Sequence, residues 1–445
     1  MTTAGFGRRG FSYCLLPTDF RRTRPARVTS ERLPLSPRAQ KVEIAFRVMK
    51  NFPPMKRLTV SFAAASAALL LCSTLASAQS GATRPRRVTP VQPTGETASA
   101  ATPAAGTNTG AGSAAHALSL LEKKQFDAAL AEARQLSAAD PKNSEAWKIA
   151  GYAEFYLKRY NEASADLERA LELRNAEGQK DTKIEDALAN AYFFAEKYEQ
   201  ALPLLVAATT RAGAKPDANT LYYRAIAEMN LKRTDDAERS FGEVLKLDPK
   251  NKFALLYVGQ LAFARQDYAT AVNMLNRATL ADPTFAQGWE LLTQAYMYRG
   301  RSATGPAADA DFLSAVRAAD SLARVRPDAR SSLLQGQALV FAKQFPKAVA
   351  ALERAAASPQ APDETFYLLG YAHVQAKNFP KAITALETAA TKTPQNAELY
   401  RLLGFSYESS QQYAKALAAY EKGLQLAPAD AYFKESAERV RPYAK

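Results

Sequence analysis

One short motif, an aromatic residue followed by two mostly polar or small residues and an alanine, occurs nine times between residues 126 and 416. Successive alanines of this motif are 34, 38, 36, 34, 44, 33, 34 and 34 residues apart. A period in this range predicts a solenoid, in which each unit packs mainly on its neighbours. In the fourth motif a threonine replaces the aromatic residue. The motifs are 126–129, 160–163, 198–201, 234–237, 268–271, 312–315, 345–348, 379–382 and 413–416.

The second repeat shows how each unit is built. Its apolar and small residues recur three or four apart within two segments, which predicts two amphipathic helices with a break near residues 158–159. Gly151 and Ala163 are expected where the helices cross, because small residues let the two axes approach. The apolar positions are Trp147, Ala150, Gly151, Tyr160, Ala163, Leu167, Ala170 and Leu171.

Prolines mark the predicted helix boundaries. Pro346 and Pro380 lie two residues before an alanine of the motif, in the first turn of a second helix, where no partner for a backbone N–H is needed. The other prolines follow second helices, which they cannot continue. These are Pro141, Pro249, Pro283, Pro327, Pro394 and Pro428.

With these positions, residues 110–430 resemble the tetratricopeptide repeat family, in which a large apolar residue, a glycine or alanine, a distant alanine and a closing proline recur. The resemblance implies an all-α fold, a right-handed superhelical α-solenoid of about nine helix pairs. Residues 431–445 would add a capping helix, since Tyr432, Phe433, Ala437 and Val440 have helical spacing. The matching sets are Trp147, Gly151 and Ala163; Leu255, Gly259, Ala271 and Pro283; Phe366, Gly370, Ala382 and Pro394; and Tyr400, Gly404, Ala416 and Pro428.

The same resemblance implies a binding surface. In such proteins the first helices line a concave groove, and partners contact the second, fifth, ninth, twelfth and thirteenth positions of each repeat. Aromatic residues there favour a peptide or helix as partner. The chaperone-tail clamp of some relatives is not expected, because its asparagines are missing. The candidates are Lys148, Tyr152, Phe155, Tyr156, Tyr222, Leu256, Phe263, Gln294, Met297, Tyr298, Tyr367, Tyr371, Arg401 and Phe405.

Three repeats depart from the pattern. Arg224 stands at a normally apolar position and Thr234 at an aromatic one, so repeat four is expected to be a looser helix pair. Repeat six has about ten extra residues around 300–308, which predict a protruding loop. The first repeat has Ser113 and Ala117 where the large residue and the glycine usually stand, as in a worn terminal unit.

The segment before the repeats has the layout of an export signal. Residues 55–78 contain a short basic start, an apolar stretch and a small-residue site that predicts cleavage after Ala78. The apolar stretch is shorter than the roughly 20 residues that span a bilayer, so a retained anchor is the less favoured interpretation. Lipidation at Cys72 is a minor alternative. The predicted location is periplasmic or secreted.

The region before this signal is rich in Arg and Pro and shows neither helical nor strand periodicity. Residues 1–54 are a doubtful or disordered leader, and translation could start instead at Met49 or Met55. Residues 79–109 are rich in Ala, Thr, Gly and Pro, which predicts a disordered linker.

Charge and cysteine content depend on this division. Residues 1–78 hold 13 basic and 3 acidic residues of the chain's 58 and 44, which leaves 45 basic and 41 acidic residues in 79–445. The predicted mature protein is therefore nearly balanced in charge, and nucleic acid is not an expected partner. Both cysteines, Cys14 and Cys72, precede residue 79, so no disulfide is expected after cleavage.

Reactive groups of known enzymes are not recognisable in the sequence. Phosphate-binding, zinc-protease and nucleophile-elbow motifs are missing. His373 is expected to fill the interior, and Asp235 and Asp236 to be solvated at a helix start. The sequence therefore predicts a non-catalytic adaptor of the bacterial cell envelope, without metal or other cofactor, that binds a protein or peptide. A glycan-binding accessory of polysaccharide export or modification is the alternative.

Overall fold

The computed structural model describes residues 113–213 and 215–445. Within them it contains nineteen α-helices, a short 3-10 turn at Arg441–Tyr443 and no strand. The helices are α1 (Ala114–Glu122), α2 (Phe126–Ala139), α3 (Ser144–Tyr156), α4 (Tyr160–Ala176), α5 (Thr182–Phe194), α6 (Tyr198–Thr210), α7 (Ala218–Asn230), α8 (Thr234–Leu247), α9 (Lys252–Ala264), α10 (Tyr268–Ala281), α11 (Ala286–Ser302), α12 (Pro306–Val325), α13 (Ala329–Phe341), α14 (Phe345–Ala356), α15 (Glu364–Gln375), α16 (Phe379–Lys392), α17 (Ala397–Ser409), α18 (Tyr413–Leu426) and α19 (Ala431–Val440).

The helices form pairs, each packed on the next, so the predicted all-α solenoid of helix pairs is confirmed. Repeats one to nine are the pairs from α1–α2 to α17–α18, and α19 follows as a single helix packed on α18. The predicted leader, signal peptide and linker lie outside the described residues.

The nine alanines of the motif are the most uniform part of the core. Each of them has an exposed fraction of 0%, from Ala129 in α2 to Ala416 in α18. The aromatic residue three before the alanine begins the second helix in every repeat except four, where Thr234 does so, and six. The motif therefore marks the point where a second helix starts and turns its smallest residue into the core.

Glycines let the paired helices approach. A Cβ atom on Gly151 would lie 2.6 Å from Cγ of Leu167 and 3.2 Å from the carbonyl oxygen of Ala163. The same position recurs at Gly370, where a Cβ would lie 2.4 Å from Cγ of Leu386. No larger residue fits without moving a packed side chain, which confirms the prediction of small residues at the crossing.

The turn inside a repeat is made by a residue in the left-handed conformation. Lys158 has φ 62° and Lys377 has φ 59°, and neither is a glycine. The N–H of Arg159 reaches back to the carbonyl of Glu154, at 2.9 Å, which closes the end of α3. The residues in this position are Lys124, Lys158, Glu196, Lys232, Gln266, Lys343, Lys377 and Gln411.

The start of most first helices is capped by an acidic or amide side chain, which the sequence prediction missed. Asn143 accepts a hydrogen bond from the backbone N–H of Ala146, at 3.0 Å. A side chain in this position satisfies a donor that the helix itself cannot use. The capping residues are Asn143, Asp181, Asp217, Asn251, Asp328, Asn396 and Asp430.

The prediction of a protruding loop in repeat six is wrong. The extra residues lengthen both helices, to 17 residues in α11 and 20 in α12, and only 303–305 connect them. Gly305 takes φ 61° and Pro306 begins α12, which suits both residues. Arg299 and Asp311 join the extensions, with Nη2 and Oδ1 2.6 Å apart.

Repeat four is not loosened by its polar residues. Glu228 has an exposed fraction of 1% and accepts hydrogen bonds from Nε of Arg224, at 2.9 Å, and Oγ of Ser240, at 2.6 Å. Arg224 therefore neutralises a buried carboxylate, while Phe241 in α8 is wholly buried. The prediction of a looser helix pair is therefore wrong, because Arg224 has a partner, Glu228, on the next turn of α7.

Candidate partner-binding surface

All fourteen residues predicted to contact a partner lie on first helices, but they differ widely in exposure. Five are buried in this structure, with exposed fractions of 0–8%, and so present no surface to a partner. For these five the predicted accessibility is wrong. They are Leu256, Gln294, Met297, Tyr371 and Arg401.

Arg401 binds residues of α19, the last helix, and does not line a groove. Its Nε donates a hydrogen bond to Oε2 of Glu398, at 3.0 Å, and its Nη2 binds the carboxylate of Asp430 at the start of α19. The guanidinium lies 4.1 Å from the ring centroid of Tyr432 and 4.9 Å from that of Phe433. Such stacking on aromatic faces suits arginine, so Arg401 joins repeat nine to α19.

The two candidate tyrosines of repeat eight are interior residues to different degrees. Tyr371 is fully buried, and its hydroxyl has no hydrogen-bond partner among the described residues. Burial raises the pKa of Tyr371 to about 12, and it raises the pKa of the partly buried Tyr367 well above its usual range. His373, on the same helix, is also buried, as predicted, and burial lowers its pKa.

The accessible candidates cluster at the N-terminal end. Tyr156 has an exposed fraction of 58%, and its ring stacks on Phe126 at a centroid distance of 4.8 Å. Phe155 contacts the rings of Tyr156, Tyr160 and Phe194 at 5.5–5.9 Å. These rings remain partly exposed, so they offer apolar area to solvent while holding one another in place.

We use the term aromatic surface for six partly or fully exposed rings in repeats one to four that are linked by direct ring contacts. Its members are Phe126, Phe155, Tyr156, Tyr160, Phe194 and Tyr223.

Four of these six rings were missed as binding candidates. The sequence did contain a signal: Phe126 and Tyr160 are the aromatic residues of the repeated motif, and Tyr192, Phe193 and Phe194 are consecutive rings at the end of one helix. Stacking between Tyr160 and Phe194, at 5.3 Å, crosses from one repeat to the next, which spacing within a single repeat cannot reveal.

The polar candidates Lys148 and Tyr152 precede the rings of Phe155 and Tyr156 along α3. Lys148 pairs with Glu145, with Nζ and Oε2 2.6 Å apart, and Glu145 also lies 3.4 Å from Nη2 of Arg174. The hydroxyl of Tyr152 is 3.4 Å from the backbone carbonyl of Lys183 in the next repeat. Tyr152 therefore contacts the next repeat, whereas Glu145, Lys148 and Arg174 form an ionic group within repeat two.

The remaining candidates make ring contacts of their own. Tyr222 contacts the rings of both Phe241 and Tyr257, and burial raises its pKa. Phe263 and Tyr298 contact each other at 5.2 Å, and Phe405 contacts Phe379 at 5.9 Å. Each is partly buried, so these positions add little accessible area to the aromatic surface.

Two buried carboxylates and one partly exposed arginine join repeats one and two. Arg134 in α2 binds both Glu154 and Asp166, with closest nitrogen–oxygen distances of 2.6 and 2.8 Å. Burial and the neighbouring Asp166 raise the pKa of Glu154 to about 7, although Arg134 opposes the shift. Burial also raises the pKa of Asp166. Arg134 of repeat one thus forms ion pairs with two carboxylates of repeat two.

Neither a metal site nor a membrane span is found in the described part of the chain. There, His, Cys, Asp and Glu side chains form no group of three that could hold a metal ion. No helix of residues 113–213 and 215–445 is both long and apolar enough to cross a bilayer.

Comparisons with known proteins agree on the repeat type. Two family models, both described as tetratricopeptide repeat, match residues 228–295 and residues 114–179, 187–252 and 367–431. No curated protein matches the sequence.

Among solved structures, the chain is similar to MamA (20% identity, 42% of this chain, 97% of that one, TM-score 0.36). It is also similar to YrrB, titled a TPR protein with an unusual peptide-binding site (16%, 44%, 97%, TM-score 0.38). A third is the C-terminal part of a TPR repeat-containing protein from Cytophaga hutchinsonii (16%, 64%, 97%, TM-score 0.39). Since the family models match more than half of the 445 residues, the chain belongs to the tetratricopeptide repeat family.

Proposed function

We propose that this protein is a non-catalytic interaction scaffold that binds a partner polypeptide on the aromatic surface of repeats one to four. The observation that carries the proposal is the linked set of six rings, with Tyr156 58% exposed at its edge. Aromatic rings contribute a large contact area at a small entropic cost. Because the rings hold each other in place, little ordering is required when a partner binds.

Charge at the edge of the rings supports a polypeptide partner. Arg159 precedes Tyr160 and Asp127 follows Phe126, and these two exposed side chains lie 3.7 Å apart, from Nη2 to Oδ1. Rim charges of both signs align a partner rather than supply most of the affinity. The stacked pairs Phe126–Tyr156 and Tyr160–Phe194 each cover one face of each ring, which leaves less free face for stacking on sugars.

The test replaces one exposed ring and compares it with a matched ring at the other end. Tyr156→Ala removes a ring that is 58% exposed, and Tyr443→Ala removes one that is 66% exposed and lies 5.3 Å from Tyr413. Tagged protein is captured from an envelope fraction, and co-purifying proteins are identified by mass spectrometry. We expect Tyr156→Ala to lose partners that the wild type and Tyr443→Ala retain.

Two results would count against the proposal. If all three proteins capture the same partners, the aromatic surface does not bind them. Retention on a glycan array without polypeptide capture would instead support the alternative, a glycan-binding accessory of polysaccharide export or modification.

We also propose that the scaffold acts in the cell envelope, as a periplasmic or secreted protein. The support is the export-signal layout of residues 55–78. N-terminal sequencing of the protein from separated cell fractions should find a chain beginning at Gln79. A chain that keeps residues 55–78 in the cytoplasmic fraction would refute export, and a lipid on Cys72 would show the lipoprotein alternative.

A further inference from the structure

Most neighbouring repeats are joined by a pair of side chains at two fixed positions. One lies five residues after the alanine of the motif, on a second helix. The other lies at the eleventh position of the following repeat, three residues after the position that Gly151, Gly370 and Gly404 occupy. We call these two residues the junction pair. The pairs in contact between repeats are Arg134 with Glu154, Glu168 with Tyr192, Asn276 with Tyr296, Glu353 with His373, and Glu387 with Tyr407. Glu421 of repeat nine contacts Arg441, which follows α19, in the same way.

At three junctions the second member is a tyrosine. The hydroxyl of Tyr192 donates to Glu168, that of Tyr407 donates to Glu387, and that of Tyr296 accepts from Nδ2 of Asn276 at 2.9 Å. Tyr192 and Tyr407 are 9% and 6% exposed. At these junctions a phenol ring fills the space between two repeats and binds a polar group on the far side.

The junction between repeats six and seven has the acid without the tyrosine. Its pair is Asp320 and Leu339, and both line a cavity of about 250 Å³ between α12, α13 and α14. Leucine has no ring to fill this space and no hydroxyl to bind the acid. The cavity therefore lies where a phenol lies at the other three junctions. Its other lining residues are Val316, Gln335, Lys347, Ala350 and Arg354.

The cavity has an apolar floor and a basic opening. Leu339 is 4% exposed and Val316 9%, whereas Lys347 and Arg354 are exposed. No carboxylate of the described residues pairs with Lys347, although the equivalent Lys381 of the next repeat lies 3.4 Å from Glu353. An anion at the opening would therefore meet a cation that no acid already neutralises.

The acid inside the cavity is held in place but not neutralised by a cation. Oδ1 of Asp320 accepts a hydrogen bond from Nε2 of Gln335, at 2.7 Å. Oε1 of Gln335 in turn accepts one from Nη2 of Arg354, at 2.6 Å. Asp320 can accept further hydrogen bonds, since a carboxylate has about four acceptor sites.

We propose that this cavity binds a tyrosine side chain of a partner polypeptide, with a carboxylate next to that tyrosine held by Lys347 and Arg354. The hydroxyl donates to Asp320, as the built-in tyrosines donate to their acids. The ring packs on Leu339 and Val316. The site is distinct from the aromatic surface of repeats one to four and does not depend on the function proposed for that surface.

The first test compares ligands by calorimetric titration of the full chain. The probes are the capped peptide Gly-Glu-Tyr-Glu-Gly, a version with phenylalanine for tyrosine, and a version with glutamine for both glutamates. We expect each change to weaken binding roughly tenfold, because each removes a hydrogen bond to a charged group. Equal affinity for the tyrosine and phenylalanine peptides would overturn the proposal, as would tighter binding of 4-methylphenol than of the peptide.

The second test fills the cavity from within. Leu339→Tyr supplies the missing phenol, so it should abolish peptide binding and raise the midpoint of thermal unfolding. Leu339→Phe should also block peptide binding, but its ring cannot form the hydrogen bond to Asp320. In the double variant Lys347→Gln with Arg354→Gln, the preference for glutamate over glutamine peptides should vanish while that for tyrosine over phenylalanine remains. Unchanged binding by a folded Leu339→Tyr, checked by circular dichroism, would place the ligand elsewhere and refute the site.

Discussion

Repeats one to five and repeats six to nine use the same helix pairs but differ in how their aromatic rings are linked. In the first region eleven rings form one continuous series of ring contacts. In the second, rings meet in small separate groups, such as the pairs Phe312 with Phe341 and Phe379 with Phe405, and the trio Tyr420, Tyr432 and Phe433. The continuous series consists of Phe126, Phe155, Tyr156, Tyr160, Phe193, Phe194, Tyr198, Tyr222, Tyr223, Phe241 and Tyr257.

The difference shows which parts of a repeat are free to vary. The alanines are equally buried in both regions, because helix crossing allows no larger residue. The positions between repeats tolerate rings, ion pairs or a cavity, since they need only fill a junction and satisfy its polar groups. Binding chemistry can therefore differ along one solenoid without any change in the fold.

The largest expected effect is in the C-terminal region. Arg401→Ala leaves the buried Glu398 and the carboxylate of Asp430 without their shared cation, so the free energy of unfolding should fall by about 3–5 kcal/mol. Hydrogen exchange should show the loss first in α19. Arg441→Ala, which breaks a more exposed pair with Glu421, is the control and should cost about 1 kcal/mol or less. Similar losses in both variants would contradict the role of Arg401.

The continuous ring series predicts a larger effect of ring removal in the N-terminal region. Phe193 contacts the rings of Phe194, Tyr198 and Tyr223, whereas Phe405 contacts only Phe379 among the described rings. Phe193→Leu should cost about 2–3 kcal/mol, and Phe405→Leu about 1 kcal/mol. Chemical denaturation measures both. Equal costs, although Phe193 is the more buried of the two rings, would show that the ring series adds no stability.

The charged junction of repeats one and two predicts a pH dependence. The pKa of Glu154 is raised to about 7 in the folded state. Ionisation of Glu154 near neutral pH is therefore less favourable in the folded protein than in the unfolded chain. Stability should therefore fall as pH rises from about 4.5 to above 7, by roughly 3 kcal/mol. Glu154→Gln should flatten this dependence and be more stable than the wild type at pH 8, because Arg134 then pairs with Asp166 alone.

The control for this charge change is Glu145→Gln, which removes a carboxylate that is partly exposed beside Lys148. It should leave the pH dependence between pH 5 and 8 unchanged. If the Glu154→Gln protein and the wild type lose stability in parallel over that range, another group causes the dependence.

The smallest effect should be the same in both regions. Lys158 and Lys377 have φ values of 62° and 59°, which cost a non-glycine residue about 1 kcal/mol. Lys158→Gly and Lys377→Gly should each stabilise the protein by up to about 1 kcal/mol, as thermal denaturation will show. Lys246→Gly, within the last turn of α8, should destabilise it. A clear difference between the two turn variants would show that the regions differ in backbone as well as in side chains.

Much of the fold could be predicted because it depends on short-range patterns. Ala129 and Ala416 could be identified as core residues since a helix pair repeats every 34 residues or so, and prolines such as Pro346 have few places in a helix. The extra residues of repeat six were misjudged as a loop. Their helical extension is held by Arg299 and Asp311, twelve residues apart on two helices, and that contact leaves no local pattern.

The candidate surface was only partly predictable. Position in the repeat correctly placed all fourteen residues on first helices but could not give their exposure. Arg401 is buried because Tyr432 and Phe433 of the next helix stack on it. Conversely, Phe194 belongs to the aromatic surface because it reaches Tyr160 of the preceding repeat.

By itself, the sequence determined the repeat, its helices and its small crossing residues, because these follow from backbone geometry and steric limits within about 34 residues. Only the tertiary structure decided which side chains face solvent, which rings join across repeats and where a cavity replaces a tyrosine. Those outcomes depend on pairs of residues 19 to 34 positions apart, such as Asp320 with Leu339 or Tyr160 with Phe194. No single repeat contains both partners of such a pair.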